Sequence, residues 1–151
     1  MFTIGVFQDV TWAARGIEAL VGDGFPVDSL SIVAKATPEA RALIAARFGG
    51  EVQVLTLSRL GEALVCGPLI AALQGSDGGL ERGGVSAAIG RAGFQSHDGH
   101  IYERLVDRGG ILVAVHNLPR AADALGKLHA YGGGNAAIGA WIGRMKPVQF
   151  R

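Results

Sequence analysis

Apolar positions in this chain fall into short unbroken runs joined by segments of helical spacing, with glycine or proline at most junctions. Phe2 to Phe7 is a β-rich run, and Asp9 stands where a helix needs an acceptor for its first unpaired N–H groups. Val10, Ala13, Ile17, Leu20 and Val21 then repeat on one helical face until Gly22 and Gly24. Val27 to Ala34 reads as the next strand, completing a β-α-β unit. Thr37-Pro38-Glu39 combines a capping hydroxyl, a proline at the first helical position and an acid in the first turn, so a second helix should run from there to Gly49-Gly50.

Glu51 to Leu57, rich in Val, Leu and Thr, predicts a strand. The glycines between Ser58 and Gly93 weaken helical patterning, because each interior glycine costs about 1 kcal/mol. Two short helical pieces are expected there, Leu64 to Leu73 and Val85 to Ala92. In the second, Gly84, Ala88 and Ala92 stand four apart, which predicts a close internal packing contact. From Ser96 the pattern sharpens. Ser96 and Asp98 open a helix carrying Ile101, Leu105 and Val106 on one face, Arg108 suits its negative end, and Gly109-Gly110 stops it before the strand Ile111 to Val115.

A shift of 108 positions lays the first unit on the last. Ala13 and Ala14 fall on Ala121 and Ala122, Leu20 on Leu128 and Gly24 on Gly132, while Ile4, Phe7, Val10 and Ile17 meet Leu112, Val115, Leu118 and Leu125. Carried further, the repeat predicts that Ala136 to Ile142 is a strand. Two β-α-β halves imply an α+β, ferredoxin-like fold with a four-stranded antiparallel sheet and two helices on one face. The expected layout is one domain over residues 1–143, with halves 1–35 and 96–143, a long helical glycine-rich insertion at 36–95, and a C-terminal tail at 144–151.

Composition narrows the function. With 49% apolar and 18% charged residues and a mean hydropathy of +0.31, the chain calls for a buried interface with a protein partner or a second copy. A net charge of +1 without a Lys/Arg run speaks against a nucleic-acid groove. The longest apolar run, Ala63 to Leu73, is too short to span a bilayer, and the N-terminus carries no basic leader, so a cytoplasmic protein is expected. Cys66 is the sole cysteine and sits among Leu64 and Val65, which suits a buried thiol rather than a nucleophile.

Candidate chemistry is sparse. His97, His100 and Glu103 stand three apart on one helix, about 60° from one to the next, and are the metal candidates; a site would need a further ligand from His116 or His129. His116, at a strand end before Asn117, suits a turn-capping or general-base position. GGGNAAIG lacks the lysine and hydroxyl of a phosphate loop. Trp12, Tyr102, Arg108 and Trp141 are the candidates for partner contact, and no cofactor is expected.

Four segments carry a resemblance: IGVFQDVTWAARGIEALVGDGFPVDSLSIVAK, GPLIAAL, AAIGRAGFQSHDGHIYERLVDRGGILVAVHN and the helix that follows. In their order and in HIYERLVDRGGILVAV above all, the chain resembles the bacterial general stress protein, or heat-induced stress protein, domain. The resemblance implies a small cytoplasmic stress-associated protein without recognised catalytic residues. Here the stretch Gly61 to Gly84 is more compact than the glycine-rich middle common in that family. The function expected is a non-enzymatic interaction protein, a homo-oligomer or accessory subunit; the alternatives are a small-ligand-binding regulatory module and a metal-binding protein.

Overall fold

A computed structural model of the chain describes residues 1–49, 52–116 and 120–134. Strand β1 (Thr3–Phe7) leads into helix α1 (Val10–Gly22), which starts where Asp9 Oδ1 accepts from the Trp12 N–H at 3.0 Å. A 3-10 turn precedes β2 (Leu30–Lys35), and α2 (Pro38–Phe48) begins under Thr37 Oγ1, which accepts from Ala40 N–H at 3.1 Å. Hairpin β3 (Gln53–Leu57) and β4 (Gly61–Cys66) follow, then α3 (Pro68–Gln74), α4 (Gly79–Ala88), α5 (Ser96–Asp107), β5 (Ile111–Val115) and α6 (Ala121–Ala130).

The five strands form one open antiparallel sheet in the order β1-β5-β2-β4-β3, so the fold is α+β. Side-chain alternation sends Leu30, Ile32 and Ala34 of β2 and Ile111, Val113 and Val115 of β5 to a core shared with α1, α2 and α6. Val33, Leu112 and Ala114 point the other way, into a second core built with α3, α4 and α5. Both faces of the central strands are therefore buried, which is why β2 and β5 read as unbroken apolar runs rather than as alternating ones.

The repeat is visible in three dimensions. Gly5 lies directly opposite Val113, and the sequence shift that relates the two copies carries Gly5 onto Val113. An approximate two-fold axis therefore passes through that pair, exchanging β1 with β5 and α1 with α6, which lie on the same face of the sheet. Gly24 and Gly132 close the two related helices with φ of +94° and +88°, a conformation that glycine adopts without steric cost.

Two expectations are corrected. The sheet has five strands among the described residues, not four, because the segment 36–95 is not a helical insertion: the strand expected over Glu51 to Leu57 is present as β3 and joins the sheet through β4, which was not expected. Leu64 to Cys66 belongs to β4, and helix begins only at Pro68, after the Gly67 turn. Helices cover both faces of the sheet: the face opposite α1, α2 and α6 is filled by α3, α4 and α5 of the chain itself. The fourth repeat strand, Ala136 to Ile142, the tail 144–151 and Trp141 lie outside the described residues. Among the described residues, no helix is long and apolar enough to cross a membrane.

Candidate functional site

α5 holds most of the residues that the sequence singles out, and its neighbours decide what each does. Asp98 accepts from the Gln95 N–H at 3.3 Å, which fixes the first turn one residue earlier than Ser96 alone would place it. Eight residues on from Gln95, Glu103 faces inward and is only 2% exposed. Its Oε2 accepts from the Val85 N–H at 3.0 Å, with Ser86 N–H at 3.5 Å, and its Oε1 lies 3.2 Å from Arg59 Nε.

This arrangement depends on a break in α4. Gly84 has φ +79° and ψ 180°, a region essentially closed to other residues, and turns the backbone so that the Val85 N–H points at the carboxylate. A β-carbon at Gly84 would sit 2.8 Å from Glu103 Oε2. Val85 to Ala88 thus has its own helix start, capped by a carboxylate from another helix. Arg59, at the tip of the β3–β4 hairpin, closes the outer side of the same group.

Outside this buried contact opens a cavity of about 110 Å³, lined by Arg59, His100, Glu103, Arg104 and Asp107. Its acids are matched: Glu103 by the amides and Arg59, and Asp107 by Lys35 Nζ at 3.1 Å. The Arg104 guanidinium and the His100 ring are exposed and make no ion pair among the described residues. His97 is exposed too, with Nε2 3.5 Å from Asp98 Oδ1. His97, His100 and Glu103 do not converge; Glu103 points into the core while both imidazoles face solvent. Among the described residues no three His, Cys, Asp or Glu side chains gather as a metal would require.

The partner candidates divide. Trp12 is 6% exposed and Tyr102 3%, so both are corrected from surface to core. Trp12 packs against α1's buried face with the Arg15 guanidinium 5.0 Å over its ring, and Tyr102 meets Phe94 edge to face at 5.8 Å. Arg108 is exposed at the end of α5. The His116 ring stacks on Phe2 at 4.6 Å while its backbone N–H donates to Ser29 O at 2.9 Å, a strand-end contact in which no carboxylate among the described residues pairs with the ring. Cys66 is half-buried; burial pushes its thiol pKa up, against a backbone hydrogen bond at Ile32 that pulls it down.

A surface the sequence reading missed lies between α1 and α2. A groove of about 560 Å³ is lined by Ala14, Ala42, Leu43 and Ala46 together with the charged Arg15, Glu39 and Arg47. Arg47 is bound to Glu18 of α1 at 2.6 Å, so the two helices are clamped at that end. Nothing in one helix's periodicity announces a groove made by two.

No protein-family model, no curated protein and no solved structure matches this chain.

Proposed function

We propose that the protein is a non-enzymatic interaction protein that self-associates through the α1–α2 groove. The observation that carries this reading is the groove itself, whose small side chains admit another helix pair closely and whose charges are arranged to suit a copy of themselves. Glu39 and Arg47 stand at opposite ends of α2, about 12 Å apart at 1.5 Å per residue. Two copies related by a two-fold axis near Ala42 would bring Glu39 of each toward Arg47 and Arg15 of the other. Like charges would face each other in the parallel arrangement, which disfavours it.

Oxidative cross-linking tests the arrangement. Ala42→Cys should give a rapid disulfide-linked dimer, whereas Val54→Cys, on the opposite edge strand and 44% exposed, should not. Equal cross-linking at both positions, or none at Ala42→Cys, contradicts it. An accessory-subunit role is the outcome if the groove captures a different protein instead.

The same proposal takes the protein to be cytoplasmic and stress-associated, supported by the sequence resemblance alone. It also takes the repeat strands to follow ferredoxin-like order, in which the outer edge of β1 carries a further pairing. The support is that Gly134 already pairs with Val6 on that edge, through hydrogen bonds of 2.7 and 3.0 Å. A second reading, a small-ligand-binding module, is favoured by the cavity beside α5.

A further inference from the structure

We infer that the cavity between the β3–β4 hairpin and α5 is a binding site for a small oxyanion of phosphate size, held by Arg59, Arg104 and His100. The cavity lining carries unspent donors. Glu103 and Asp107 are the acids lining the cavity, and both are satisfied from elsewhere: Glu103 Oε2 by the Val85 N–H and Asp107 Oδ1 by Lys35 Nζ. Arg59 uses Nε on Glu103 Oε1, and its two terminal guanidinium nitrogens make no ion pair among the described residues on a side chain that is 66% exposed. Arg104 and His100 stand one helical turn apart on α5, and among the described residues no carboxylate or carbonyl occupies their donors.

The geometry suits a tetrahedral anion better than a metal or a cationic ligand. Guanidinium groups approach from two different elements, the hairpin and the helix, so an anion between them is gripped from both sides. A volume of about 110 Å³ holds a phosphate or sulfate group and excludes the body of a larger metabolite, which would project into solvent. Glu103 serves this site as a positioning residue: by fixing Arg59 Nε it sets the plane of the guanidinium. The ligand is either inorganic phosphate or the phosphate end of a small monoester. The site is independent of the α1–α2 groove, so either proposal can fail without the other.

The test is titration of the full-length protein, followed by amide and arginine side-chain NMR. Inorganic phosphate and glycerol 3-phosphate are added separately, with sodium chloride at matched ionic strength as control. Saturable shifts confined to Arg59, His100, Arg104 and their neighbours are expected with phosphate. Tighter binding of the ester would mark a monoester as the ligand. Arg104→Gln, at an exposed position where folding is not at stake, should weaken binding by about fivefold or more, the scale of one exposed charge-assisted contact. Arg41→Gln, at an exposed arginine on α2, should leave it unchanged. Shifts that follow sodium chloride equally, that spread over every surface arginine, or that survive Arg104→Gln undiminished overturn the proposal.

Discussion

Replacing Glu103 should reveal whether a buried carboxylate or its visible ion pair holds the α4–α5 junction. In Glu103→Ala, the Val85 N–H is left buried without its acceptor, at about 1–3 kcal/mol, and the excised side chain leaves a void besides. A total loss of about 2–4 kcal/mol is expected. Glu103→Gln keeps an oxygen for Val85 and loses only the charge, so about 1 kcal/mol is expected. Arg59→Ala should cost less than about 1 kcal/mol, because Arg59 is 66% exposed and water entering the adjacent cavity can solvate Oε1 in its place. Urea unfolding at constant pH, with unchanged m-values, gives the three numbers directly. A loss for Arg59→Ala equal to that for Glu103→Ala would refute the assignment of the energy to the backbone amides.

Three other outcomes follow from the same physics. Ser31, fully buried on β2, accepts from the Leu69 N–H at 2.9 Å and caps α3 from outside that helix, so Ser31→Ala should lose about 1–2 kcal/mol in urea unfolding. Paired hydrogen bonds from Arg91 hold the Asp77 carboxyl well below its usual range, so its stabilising effect is fully present above the ordinary aspartate pKa of about 3.9 and is lost as pH falls below it. Wild type should therefore exceed Asp77→Asn in stability at neutral pH, and the gap should close in acid; a gap independent of pH contradicts the assignment. Cys66, its thiol raised by burial, should react with iodoacetamide at neutral pH far more slowly in the folded protein than in urea, and equal rates would place it on the surface.

Much of the architecture was legible because local signals agreed with one another. Asp9, Thr37-Pro38 and the Ile111 to Val115 run each marked an element that the structure shows, and the repeat of β1-α1 in β5-α6 emerged from matched apolar positions before any pairing was known. The middle segment resisted the same reading. Leu64-Val65-Cys66 and Leu69-Ile70 form one apolar stretch, and only the backbone turn at Gly67 divides strand from helix. The burial of Trp12, named as a partner-contact candidate, has a similar cause. It lies off the stripe that packs on the sheet, yet α1 is covered on more than one side, so a single-face argument understates its burial. Glu103 read as a metal candidate because spacing along α5 says nothing about the break at Gly84 that turns an amide toward it. The apolar excess, read as a call for a partner, is largely absorbed by two cores on the two faces of the sheet. What remains for an interface is the smaller groove between α1 and α2.

Sedimentation velocity of the full chain across a wide concentration range, beside Ala46→Glu, tests the central claim most directly. The wild-type protein should sediment as a species of twice its 15.6 kDa mass, and Ala46→Glu, which places a charge in the groove at an exposed helical position, should sediment as a monomer with unchanged melting temperature. A wild-type monomer at every concentration, or a dimer indifferent to Ala46→Glu, would contradict it.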